Sequence, residues 1–147
     1  MEEEETLIIS AFPATGKSYF VKQLENNKRL TKGIAIDSDS STFDKNHFPQ
    51  NYIDHIKRET GKRGIIFVSS HKVVREALVE NEIPFILVYP SDDLKQEYID
   101  RYKKRGNTEA FVKLLDENWK AWLSECKNQT GCRHIVLKSG EYMYDVI

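Results

Sequence analysis

Residues 10–20 read SAFPATGKSYF. An apolar run, TLIIS at 6–10, leads into them, and residues 16–27 that follow have the length and make-up of a helix. A strand, a short glycine-containing loop and a helix in that order bring loop N–H groups and the first helical turn to bear on one point. That is a geometry made for an anion. The spacing departs by one residue from G-x-x-x-x-G-K-[ST]: Ala11 stands where the first glycine belongs, whereas Gly16, Lys17 and Ser18 are in place. In that pattern backbone N–H groups cradle phosphate oxygens, Lys17 reaches the β- and γ-phosphates, and the Ser18 hydroxyl ligates Mg²⁺. The first glycine mainly eases a tight turn, so alanine serves there if its backbone stays in an ordinary region. The candidate nucleotide-binding segment is therefore Ala11, Pro13, Ala14, Thr15, Gly16, Lys17, Ser18 and Tyr19.

Working outward, four more runs rich in β-branched residues appear: GIAID at 33–37, GIIFVSS at 64–70, IPFILVY at 83–89 and RHIVLK at 133–138. Their apolarity is continuous rather than alternating, as in strands buried on both faces. Helices are expected between them, over 49–60 with Pro49 at the first helical position, 71–81, 92–105 and 108–125. In the last, Phe111, Leu115, Trp119 and Trp122 form a stripe that suits packing against the sheet. Arg75 falls opposite the apolar face of Val73, Ala77 and Leu78, which predicts a solvent-facing side chain. Strand and helix alternate throughout, so the fold class is α/β, one three-layer domain over residues 1–147 with a five-stranded, mainly parallel sheet.

Ligands of such sheets sit outside the carboxyl ends of the strands. The residues that follow each run are Ala11 to Ser18, then Asp37 and Asp39, then Ser69 to Lys72, then Pro90 to Asp92, and finally Lys138 to Gly140. A lysine, carboxylates and hydroxyls thus gather at one edge. At 100° per residue Leu94, Tyr98, Arg101 and Arg105 share a sector of about 60° of the 92–105 helix, with Tyr102 at its margin and Lys103 and Lys104 elsewhere. Two arginines continuing an apolar stripe are placed to reach phosphate oxygens if this helix ends in a lid. His71, without a visible partner, reads as part of a helix start.

AFPATGKS at 11–18, DSD at 37–39 and RYKKR at 101–105 together resemble the small P-loop kinases that act on nucleosides, nucleotides, shikimate and polynucleotides. The chain is most similar to the compact kinases encoded by bacteriophages, over nearly its whole length. The resemblance implies a sheet in the order 2-3-1-4-5, a helical lid, and ATP with Mg²⁺. It also implies catalytic roles for Lys17, Asp37, Asp39, Arg101 and Arg105, with one carboxylate of the pair near the metal beside Ser18 and the other at the acceptor. The metal position falls to Asp37. A carboxylate that takes a proton is useful for a hydroxyl acceptor and superfluous for a phosphate. One departure stands out: the third run ends FVSSH, without the aspartate usual there.

The composition suits an ordinary soluble protein of one domain. Of 147 residues 39% are hydrophobic and 31% charged, with a net charge of -1, so no basic excess points to nucleic acid. Glu2 to Glu5 form an acidic tail, unlike a signal peptide, and Cys126 and Cys132 lack the spacing of a zinc site, so the cytoplasm is the expected setting. Three readings follow. The first is a kinase moving the γ-phosphoryl of ATP to a small nucleoside or nucleotide acceptor. The second is a nucleotide-binding regulatory module with little catalysis, and the third a kinase for another hydroxyl metabolite.

Overall fold

The structure, a computed structural model, describes residues 6–17, 19–20, 22, 36–37, 43–61 and 64–146, and for Ile36, Asp37 and Tyr144 the backbone alone. Four strands of ordinary length, β1 (Leu7–Ala11), β3 (Ile65–Val68), β4 (Ile86–Pro90) and β5 (Arg133–Leu137), lie in the spatial order β3-β1-β4-β5. The run at 33–37 contributes only a two-residue ladder, β2 (Ile36–Asp37), against β3; residues 33–35 lie outside the described residues. Every pairing is parallel. The chain leaves β1 toward the β3 side and later crosses to β4 on the other side. The carboxyl end of β1 is therefore the point at which the strand order reverses, and the crevice there is where such sheets take ligands.

Among the described residues, four helices of nine or more residues connect the strands: α1 (Gln50–Glu59), α2 (Lys72–Glu80), α3 (Lys95–Lys104) and α4 (Glu109–Asn128). A four-residue helix, α5 (Met143–Val146), follows β5. Pro49 sits one place before the first α1 residue, as its N-cap, and the segment expected to be helical from 92 opens with a 3₁₀ turn, Asp92–Leu94. Thr108 caps α4, its side chain accepting from the Phe111 N–H at 3.3 Å.

The continuous apolar runs are explained by the period of two along each strand. Ile8, Ile66, Val68, Leu87 and Tyr89 face one side, and meet Tyr52, Ile53 and Ile56 of α1, Leu78 of α2, Tyr98 of α3 and Leu115, Trp119 and Leu123 of α4. Ile9, Ala11, Phe67, Val88 and Leu137 face the other, against Phe20 and Met143. Each such fully buried aliphatic side chain contributes roughly 1.5–3 kcal/mol. The stripe of α4 packs inward through Leu115, Trp119, Leu123 and Cys126, while Phe111 lies at its exposed end. Both cysteines are free thiols, and burial pushes that of Cys126 up to about 11.

Arg75 is not at the surface. It is 2% exposed, with Nε donating to Ser70 O at 2.9 Å and Nη1 donating to Glu125 O at 3.2 Å and Gln129 Oε1 at 2.7 Å. Glu125 lies in the last turn of α4, where carbonyls have no helical donor, and the guanidinium fills that vacancy. Helical period places a residue on a face; it does not say that a second helix end stands opposite.

Candidate phosphate-binding site

Ala11 closes β1, in register with Val88, and it keeps an ordinary strand backbone, absent from the positive-φ residues among those described. The left-handed turns come later, at Ala14 (φ 63°) and Gly16 (φ 96°). Residues of alternating hand turn successive N–H groups toward one side, the concave arrangement that receives anions. So the alanine in the unusual place needs no special backbone, and the strain falls on a second alanine three residues on. At Gly16 the reason for glycine is twofold: besides its φ, a Cβ there would lie 2.9 Å from Cδ1 of Tyr142. Helix starts at once: Lys17, Tyr19, Phe20 and Lys22 are helical, and the Phe20 N–H donates to Gly16 O at 2.9 Å.

Groups outside the loop hold its carbonyls. Arg101 Nη1 donates to Ala14 O at 3.0 Å, and the Met143 N–H donates to Thr15 O at 3.0 Å. Inside the loop the Thr15 hydroxyl donates to Phe12 O at 2.7 Å. The Arg101 guanidinium lies over two rings, Tyr98 at 4.4 Å and Tyr142 at 4.0 Å, with Nη2 donating to Glu97 Oε2 at 3.1 Å and Glu141 O at 3.2 Å. Glu97 also accepts from the Ser139 hydroxyl at 2.5 Å and the Gly140 N–H at 3.1 Å. Those bonds, the Ser139 one first, and the nearby Arg101 charge hold its carboxyl below the usual range. Burial raises the phenol of Tyr98 to about 12.

The remaining expected site residues are distributed as follows. Pro13 and Lys17 are partly exposed, Tyr19 is exposed, and Thr15 is buried. Asp37 ends β2 in register with Phe67, at the loop-bearing edge; its side chain, like Ser18 and Asp39, lies outside the described residues. Arg105 follows α3 in an exposed position, 6.0 Å from the Tyr102 ring centre. Arg101 shares the inward sector with Leu94 and Tyr98, but the next position inward is Tyr102, 1% exposed, not Arg105. After β3, Ser69 O accepts from the buried Ser10 hydroxyl at 3.0 Å, and His71 is the exposed N-cap of α2. Glu97, Glu141, Tyr142 and Met143 were not foreseen. The i, i+4 spacing of Glu97 and Arg101 and the aromatic residue just past Gly140 were the signals available.

Mg²⁺ bound with a nucleotide takes few protein oxygens and fills its shell with phosphate and water. Among the described residues no cluster of three metal-ligating side chains exists. No described helix is long and apolar enough to cross a membrane.

The parallel sheet and the loop at its switch point define a P-loop kinase-like α/β fold. Among solved structures, polyphosphate kinase 2 from Arthrobacter aurescens TC1 is similar, with a TM-score of 0.57 and 11% sequence identity over 90% of this chain and 60% of that one. At such identity the likeness is one of fold. No family model matches the chain, and no curated protein matches it.

Proposed function

We propose that the chain is an ATP-dependent phosphotransferase, a compact kinase of the bacteriophage-encoded type, moving the γ-phosphoryl group to a nucleoside or nucleotide. The observation that carries this reading is the loop itself: alternating left-handed residues at Ala14 and Gly16, then Lys17 at a helix start, all at the sheet's switch point. Its N–H groups and Lys17 bind the phosphates and stabilise charge on the transferring group. Ser18 and Asp37 would hold Mg²⁺, which neutralises phosphate charge when bound. Asp39 takes the proton of a hydroxyl acceptor, and Arg105 stands at the end of α3 to meet phosphate oxygens.

A second reading, a nucleotide-binding module with little turnover, draws support from β3, which runs into Ser69 and Ser70 where a carboxylate would assist the metal. Coupled ADP-release assays against nucleosides, nucleoside monophosphates, small alcohols and polyphosphate separate the two. Acceptor-dependent release with a nucleoside or its monophosphate is the expected result. Tight ATP binding without release across the panel would replace the first reading by the second.

A further inference from the structure

Five hydrogen bonds and one cation–ring contact join the phosphate loop, α3 and the segment 138–143 into one unit, with Arg101 at its centre. Its guanidinium reaches Ala14 O, Glu141 O and Glu97, and it lies over the rings of Tyr98 and Tyr142. With three acceptors engaged, two rings beside it and a side chain 10% exposed, this guanidinium is spent on the protein's own groups. We propose that Arg101 is a positioning residue: with Tyr142 and the Met143 N–H it braces the loop in its anion-receiving form.

The physical argument runs through the carbonyls. A peptide unit is planar, so fixing the direction of a C=O fixes the opposite direction of the following N–H. Arg101 holds Ala14 O, which sets the Thr15 N–H, and the Met143 N–H holds Thr15 O, which sets the Gly16 N–H. Both units adjoin residues with positive φ, the conformations that a free loop populates least. Without the brace, Ala14 can relax to negative φ and turn its neighbours' donors away. Tyr142 adds a steric clamp, since its ring fills the space beside Gly16. Glu97 ties the other end, anchoring Ser139 and Gly140 to α3. Arginine rather than lysine suits the position because one planar group serves three acceptors while lying against two rings.

This inference rests on the phosphate-site reading, and its test separates the two. The full chain is compared with Arg101→Lys, Tyr142→Ala, Tyr142→Phe and, as a surface control, Lys103→Ala. Each is titrated with MgATP and with Mg-tripolyphosphate by calorimetry, and the amide resonances of Ala14 to Lys17 are recorded by NMR without ligand. The brace predicts that Arg101→Lys and Tyr142→Ala shift those amides and weaken both ligands by roughly ten- to a hundredfold, the range that small misplacements produce. Tyr142→Phe, which keeps the ring, restores both readouts, and Lys103→Ala matches the parent chain. Loop amides and affinities unchanged in Arg101→Lys and Tyr142→Ala would overturn it. Should Arg101→Lys fail to fold, the partly exposed Tyr142 pair decides alone. A parent chain that binds neither ligand would refute the phosphate site, while the amide comparison would still decide the brace.

Discussion

At Ala14 the chain adopts φ 63°, where an L-residue with a Cβ costs roughly 1–2 kcal/mol, whereas Ala11 lies in a strand, where glycine costs about 0.5–1 kcal/mol relative to alanine. Both methyl groups are buried, and glycine's extra unfolded-chain entropy is incurred at either site, so both losses are common and only the strain relief differs. Ala14→Gly should therefore leave the protein about 1–2 kcal/mol more stable than Ala11→Gly, a difference that urea denaturation of the two variants will measure. The reverse order would mean that the loop's strain lies elsewhere. This is also where the sequence was most legible and least so. Gly16, Lys17 and Ser18 marked the loop at once, because few residue types satisfy that spacing. Which alanine bears the turn could not be read, since an alanine's φ depends on the peptide units that neighbouring elements hold.

Between elements, the contact of α2 with the end of α4 depends on Arg75. Its buried side chain joins Ser70 after β3 to Glu125 and Gln129, fixing the β3–α2 connection beside the site. Truncation leaves two backbone carbonyls without donors, so Arg75→Ala should cost about 2–4 kcal/mol, against less than about 0.5 kcal/mol for the exposed Lys103→Ala. Thermal melts of the two variants check this, and equal, small losses would show that solvent replaces the arginine. Alternation of strands and helices was plain from apolar runs and helical spacing. Arg75 was misread and Arg105 falls outside the buried face of α3 for a shared reason. Periodicity sees one helix at a time, whereas burial is decided by what packs beside it.

On the scale of the whole molecule, the loop, α3 and the segment after β5 act together through Glu97. Its folded-state pKa lies below the ordinary glutamate value of 4.5, so its contribution to stability is complete above that value and is lost as pH falls through the lower folded one. Urea melts between about pH 3 and 6 should show stability falling on acidification, with a shallower slope in Glu97→Gln. An unchanged slope would detach Glu97 from the brace. The parallel sheet and the loop at a strand's carboxyl end followed from the alternation of β-branched runs and helical segments, whereas the central place of β1 was only what the resemblance to small P-loop kinases implied. The closure of the loop by residues 141–143 did not, because contacts so distant in sequence leave no local pattern. The central claim, that this loop binds the phosphates of ATP for transfer, is tested most directly by Lys17→Ala. Calorimetry with MgATP and acceptor-dependent ADP release should show a folded variant whose turnover is abolished, since the lysine stabilises charge on the transferring phosphoryl. A folded Lys17→Ala protein with the parent's affinity and rate would contradict the account.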